Sequence, residues 1–383
     1  MMDVYLNRTA VCLPNEPVDN AQMESLLGQA GERPSRARRL ILKRNGIRTR
    51  YYAIDPRTGE ANYTNARLTA EAVRGLFDTP QELAGVDCLV TGTTIADQLA
   101  PNHAVMVHGE LGNPPCEAVA TTGICLCGMS ALKYAWLAVR AGEHRQAVAT
   151  GSELASQFLH ARHYQAEMQY SLETLEQRPE LAFEKDFLRW MLSDGAGAAL
   201  LGPEPDPAPR QAIARIEWIH ILSHADRLET CMYAGAEKRP DGSLQSWLTL
   251  SPEECRQRSV LALKQDVRLL NEQIVEQTVT RTLGEVIRRT GLTPDDVDHF
   301  LPHLSSLYFK PRVAEALAAM DFAIPEAKWF TNLQDKGNTG SASIYIMLDE
   351  LLKSDRVRSG DRILCFVPES GRFSSAYMLL SVP

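Results

Sequence analysis

Three side chains able to carry acyl chemistry stand far apart in this chain: Cys125, His303 and Asn338. A thiol with an imidazole makes a nucleophile and base. The histidine and the asparagine can also both donate hydrogen bonds to one oxygen, which suits an enolate or a thioester carbonyl gaining negative charge. Cys125 follows the small, turn-prone run Thr121-Thr122-Gly123-Ile124 and precedes helix-forming residues 131–139. At a helix N-terminus, unpaired N–H groups and the positive end of the dipole favour a thiolate. Taken alone, a cysteine before a helix is more often an inert buried thiol, so the surrounding elements decide its role. Side chains two apart on a helical turn point to different sides, so Cys127 reads as packing. Gly128 leaves room for a second backbone or an acyl chain.

The elements that must position these residues repeat. Residues 86–90 read as a buried strand entering the polar loop Thr91-Gly92-Thr93-Thr94. Residues 297–301 begin with the same Val-Asp pair and enter Pro302-His303-Leu304-Ser305-Ser306. Helices over 102–111 and 310–320 correspond. Cys125 stands before one helix as Asn338 stands before another, over 341–353. Strands over 146–150 and 363–367 lead to the polar turns Gly151-Ser152-Glu153 and Glu369-Ser370-Gly371, and each half closes on a strand, 195–201 and 374–380. This shared order is an internal repeat. Strands alternating with helices predict α/β layers with mostly parallel sheets. Four prolines in residues 203–210 read as a linker, giving halves of 1–205, with Cys125, and 206–383, with His303 and Asn338. Helices are expected over 21–28, 35–44, 154–190 and 271–289.

The composition bounds the function. A chain of 383 residues, 44% hydrophobic, can bury a large core. A net charge of −8 argues against a general nucleic-acid surface. The basic cluster at 33–50 (Arg33, Arg36, Arg38, Arg39, Lys43, Arg44, Arg48, Arg50) reads either as a solvated helix face or as a landing patch for an acidic partner or a phosphate. Eight scattered cysteines without zinc-type pairs suit free thiols in a reducing cytoplasm. No apolar run is of membrane-spanning length, and the first residues do not read as a signal peptide.

Several motifs carry a resemblance. Gly46-Ile47-Arg48, Ser193-Asp194-Gly195-Ala196-Gly197-Ala198, Pro302-His303 and Gly337-Asn338-Thr339 occur in this order. The chain resembles β-ketoacyl-acyl-carrier-protein synthase III enzymes of the thiolase superfamily over nearly its whole length. The opening, Leu13-Pro14-Asn15-Glu16-Pro17-Val18 with Pro34-Ser35-Arg36-Ala37-Arg38 and residues 45–53, is similar to the ketosynthases that make dialkylresorcinols and their cyclohexanedione precursors. The resemblance implies a duplicated thiolase-like fold, five-layered αβαβα with two mixed sheets around central helices. It implies a catalytic set of Cys125, His303 and Asn338, no cofactor or metal, acyl carrier protein and acyl thioesters as partners, and a homodimer.

It also implies a reaction. Cys125 takes an acyl chain, His303 and Asn338 stabilise the enolate of a β-ketoacyl thioester, and conjugate addition to an α,β-unsaturated chain with Claisen closure gives the ring. A chain-initiating synthase using malonyl-carrier protein would use the same set. A reading of another class is a turnover-inactive partner or carrier-binding subunit, against which the presence of all three residues counts. Arg36, Arg39, Arg48, Lys310 and Arg312 are candidates for docking the carrier or coenzyme A phosphates. Phe158, Met168, Tyr170, Phe187, Trp190 and Met191 line an acyl tunnel or serve as core and dimer packing.

The chain also departs from the family pattern. The glycine-rich C-terminal turn is Glu369-Ser370-Gly371-Arg372-Phe373, with an oxyanion donor expected near Ser370. Leu304-Ser305-Ser306 replaces Gln-Ala-Asn. Ala100 precedes Pro101 where related head-to-head enzymes place a glutamate base, which leaves Glu153 and Glu369 as alternatives for that role or as structural acids.

Overall fold

The computed structural model describes residues 2–29, 38–164 and 188–383. Its centre is a nine-stranded sheet. In chain order the strands are β1 (Tyr5–Cys12), β2 (Cys88–Thr93), β3 (Glu117–Thr122), β4 (Ala147–Glu153), β5 (Gly195–Gly202), β6 (Ala214–Ser223), β7 (His299–Pro302), β8 (Arg362–Glu369) and β9 (Ser374–Ser381). In space they run β7-β8-β9-β6-β1-β5-β4-β2-β3. Strands β2, β4 and β5 are buried at every position. That is why they read as unbroken runs of small and apolar residues rather than as alternating ones.

The repeat is explicit in the pairing. β2 lies parallel to β4, which is antiparallel to β5, which is antiparallel to β1. In the same sense β7 lies parallel to β8, which is antiparallel to β9, which is antiparallel to β6. Outside β2 the first half carries β3; outside β7, among the described residues, the second half carries a single parallel bridge between Phe300 and Trp329. The two sheets expected from the sequence join at a short seam, Tyr5 with Arg215 and Leu6 with Ala214.

Two helices form the central layer: α3 (Cys127–Ala141) and α7 (Ser343–Leu352). Leu132, Ala135, Leu348 and Leu351 pack there against Val90 and Ala149 of one half and Ile216, Cys365 and Met378 of the other. A methyl group on Gly128 would run into the Ser341 carbonyl oxygen, so the glycine lets the two helix starts meet. The Tyr345 hydroxyl donates to the Gly128 carbonyl at 2.8 Å across the same contact. On the outer face of the first half lie α1 (Asn65–Arg74) and α2 (His103–Leu111), capped by the side chains of Thr64 and Asn102. On that of the second half lie α4 (Val267–Val275), α5 (Thr282–Thr290) and α6 (Phe309–Ala319). Residues 276–281, between α4 and α5, are π-wound, so the helix expected over 271–289 is present with one widened stretch. The layers are therefore αβαβα.

Of the helix expected over 154–190, Ala155–Leu159 and a 3₁₀ turn at Ala161–Tyr164 are seen. Arg33, Arg36, Met168, Tyr170 and Phe187 lie outside the described residues. Among the described residues no helix is long and apolar enough to cross a membrane.

Candidate active site

Cys125 sits in the turn directly before α3, and Asn338 in the loop before the 3₁₀ turn Gly340–Ala342 that opens α7. The convergence of the two helix starts brings both to one pocket. Cys125, Asn338, Glu153, Thr94, Ser193, Gln265, Ser305 and Ser370 are its polar lining; Ile124, Leu154, Phe158, Met191, Met232 and Leu263 are among its apolar walls. His303 follows β7 and is 2% exposed; its backbone N–H donates to the Phe366 carbonyl at 2.8 Å. Its Nδ1 is buried without a hydrogen-bond partner, an open valence that a protein rarely leaves inside.

The electrostatics correct one expectation. Burial pushes the Cys125 thiol well above its usual range, and the carboxylates of Glu153 and Glu369 add to the shift. Desolvation outweighs the helix terminus, so the resting cysteine is a thiol, not a thiolate. Burial alone pushes His303 down to about 4, which keeps the imidazole neutral. Both groups are therefore neutral at rest, and His303, unlike Cys125 and Asn338, is not part of the pocket lining.

Asn338 is fixed by its backbone: its N–H donates to the Met191 carbonyl at 3.0 Å and its carbonyl accepts from Ser193 at 2.9 Å. Its Oδ1 accepts the Gly340 N–H at 3.0 Å. Glu153 ends β4 with its Oε1 receiving the Thr94 hydroxyl at 2.6 Å and the Ser341 N–H at 3.0 Å. Burial raises its carboxyl to about 7 despite these donors. Glu369 is buried, accepts the Gly371 N–H at 2.5 Å, and is also pushed up by burial. It braces the C-terminal turn and is not part of the pocket lining. Ser370 reaches the lining, and its Oγ accepts from Gln265 Nε2 at 3.0 Å.

Other predicted residues fall elsewhere. Trp190 is 1% exposed in the core beside Tyr52 and Leu188, flanked by Arg38 and Arg189, and is not part of the pocket lining. Phe158 and Met191 do line it. The basic stretch at 33–50 is not one solvated face. Arg50 is fully buried and donates to the Trp190 carbonyl, Arg38 pairs with Glu24, and Arg48 pairs with Asp335, while Arg39, Lys43 and Arg44 remain exposed. Lys310 pairs with Glu326, and Arg312 donates to the Asn271 carbonyl. Ala100 is exposed. Cys127 packs as expected, its thiol donating to the Ile124 carbonyl at 2.9 Å.

Gln265 carried no sequence signal, and Thr94 and Ser341, read only as part of a polar loop and as a helix start, act through contacts made by the tertiary fold. Asp194 of the Asp-Gly-Ala-Gly run receives the N–H groups of Ala53 and Ser156 and the Ser156 hydroxyl. It holds the segment after β4 against the strand edge and is raised by burial to about 6.

Comparison with known proteins bears on this geometry. Residues 287–378 match the family model "3-Oxoacyl-[acyl-carrier-protein (ACP)] synthase III C terminal". A β-ketoacyl-[acyl-carrier-protein] synthase III of Sphingopyxis alaskensis is 24% identical, covering 94% of this chain and 93% of its own. Among solved structures, Xanthomonas campestris OleA with bound lauric acid and lauroyl-CoA superposes with a TM-score of 0.74 at 18% identity, covering 99% of both chains. The tetronic acid condensing enzyme AbyA1 does so with 0.71 at 21% identity, again over 99% of both.

Proposed function

We propose that this chain, a condensing acyltransferase of the ketosynthase III type in the thiolase superfamily, joins two acyl thioesters and closes them into a ring. Its product is a dialkylcyclohexanedione or dialkylresorcinol precursor. The observation that carries the condensing step is the meeting of Cys125, Asn338, Glu153 and Ser370 on one pocket whose other walls are mostly apolar. Apolar walls suit alkyl chains, and the polar groups cluster where a thioester carbonyl would sit.

In the first half-reaction Cys125 loses its proton to His303 as its sulfur attacks the acyl carbon. Backbone N–H groups at Cys125 and at the Ser370 turn receive the oxyanion. The intermediate collapses, and the departing thiol takes the proton back. In the second, a β-ketoacyl thioester loses its α-proton to Glu153. The enolate oxygen accepts hydrogen bonds from His303 and from Asn338 Nδ2, since Oδ1 is already committed to Gly340. Addition to the β-carbon of the α,β-unsaturated chain returns the proton to the neighbouring carbon. Loss of a further proton gives a second carbanion, which attacks the thioester carbonyl of the formerly unsaturated chain; that C–S bond breaks, the departing sulfur takes up the proton, and the ring closes. Glu153 suits the base role because its carboxyl, at about 7, shares its proton near neutrality.

The relatives' name supports a second reading, in which the same residues decarboxylate malonyl-carrier protein to start a chain. Product mass spectrometry separates the two: a ring-forming enzyme gives a cyclised product from β-ketoacyl and enoyl thioesters without malonyl donor. Under either reading we propose a homodimer without a cofactor for the chemistry, acting in the cytoplasm, with the exposed Arg39, Lys43 and Arg44 meeting an acidic carrier protein.

A further inference from the structure

At the opposite end of the first-half sheet, three neighbouring strands begin with metal-binding side chains. Cys88 opens β2, Glu117 opens β3 directly beside it in register, and His144 stands three residues before β4, whose Ala147 flanks Cys88 on the other side. The thiol, one carboxylate oxygen and one ring nitrogen of these three lie within 4.8 Å of one another. The sequence hides this set, because its members are about thirty residues apart and only the parallel pairing of β3, β2 and β4 collects them.

We propose that Cys88, Glu117 and His144 form a binding site for one divalent ion of the zinc class, with water as the fourth ligand. A sulfur, a nitrogen and an oxygen are the donors such an ion prefers in tetrahedral geometry, and three protein ligands leave the last position to solvent. The surroundings are those of a supported site. His144 Nε2 faces Glu117, while Nδ1 faces the Asp87 carboxylate at 3.7 Å. Metal-bound histidines are oriented by such a carboxylate on the other ring nitrogen. Asp87 is itself fixed by the N–H groups of Arg145 and Gln146 at 2.8 and 3.1 Å. Tyr134 of α3 donates to the second oxygen of Glu117 at 2.5 Å. Cys88 is buried, whereas the Glu117 side chain is 38% exposed, which gives an ion a path in from solvent. An ion roughly 2.0–2.3 Å from each donor needs the donors roughly 3.3–3.7 Å apart, and the partly exposed Glu117 and His144 side chains supply that closure. The site lies at the strand starts, whereas the Cys125 pocket takes Thr94 and Glu153 from the far ends of β2 and β4. It would fasten the edge of the sheet without touching the acyl chemistry.

The test is titration of the chelator-treated full-length protein with Co²⁺, carried in a Cys125→Ala background so that the pocket thiol is silent. The expected result is one equivalent bound with a sulfur-to-cobalt charge-transfer band, displaced by Zn²⁺. His144→Gln weakens binding by at least roughly tenfold. Cys88→Ser abolishes the band. Zn²⁺ raises the melting temperature of the parent and not of His144→Gln. Absence of stoichiometric binding, or a band that survives both substitutions, overturns the site and leaves His144 and Glu117 as an ordinary ion pair.

Discussion

The Ser341 N–H donates to Glu153 Oε1 at 3.0 Å, tying the last residue of a first-half strand to the loop that carries Asn338 from the second half. Gly340, between Asn338 and Ser341, has φ +51°, and a side chain there would strike the Glu153 carboxyl. The acid thus helps set where Asn338 stands as well as lining the pocket with it.

Replacing Glu153 by Gln keeps the shape and removes the titration. Under the proposed base role, the condensation rate falls by roughly 10²–10⁴-fold, while acyl loading of Cys125 persists as a burst. A loss of loading and condensation together would assign Glu153 to holding the loop alone.

The same substitution has a stability signature. The Glu153 carboxyl is raised from 4.5 to about 7 in the folded state. Its protonated form is favoured by folding, so this stability is complete below pH 4.5 and is lost as pH rises through about 7. The loss is about 3 kcal/mol by linkage. The difference in unfolding free energy between wild type and Glu153→Gln, followed by denaturant titration from pH 4 to 8, should change in that direction. A pH-independent difference contradicts it.

Reactivity of the nucleophile should follow its surroundings. With the thiol pushed up by burial, Glu153 and Glu369, alkylation of Cys125 by iodoacetamide is slow at pH 7 and rises only beyond the range of a free cysteine. Glu153→Gln removes one negative neighbour and moves that rise to lower pH. With His303 pushed down to about 4, the acidic limb of the acyl-loading rate lies near pH 4 instead of near the ordinary value of 6.5.

Packing and pocket roles separate cleanly. Trp190→Ala should cost about 3–5 kcal/mol of stability with little change in the order of preferred acyl chain lengths. Phe158→Ala should change that order at a smaller stability cost. Thermal melts with a thioester series of increasing length check both.

Much of this architecture was legible in the sequence because duplication repeats its punctuation. The Val-Asp strand starts, the polar loops after them and the residues heading the central helices recur, so Cys125, His303 and Asn338 could be placed on corresponding strand and helix ends. What was not legible depends on distance in space. The basic stretch looked like one face, yet Arg50 turns inward to the Trp190 carbonyl, a choice set by neighbours 140 residues away. Trp190 looked like tunnel lining because aromatic composition does not say which side of a helix faces a cavity. The thiolate expected at Cys125 failed because burial and two carboxylates from the ends of distant strands outweigh the helix start. The Gln265 contact with Ser370 is likewise made only by the tertiary fold, and the Cys88–Glu117–His144 set is a product of strand pairing.

The central claim is that Cys125 carries the acyl chain. Purified protein incubated with a β-ketoacyl and an enoyl thioester, then digested and analysed by mass spectrometry, should show the acyl adduct on the Cys125 peptide and a cyclised product in solution. Both should vanish in Cys125→Ala. An unlabelled Cys125 peptide, or a product that survives Cys125→Ala, would contradict the account.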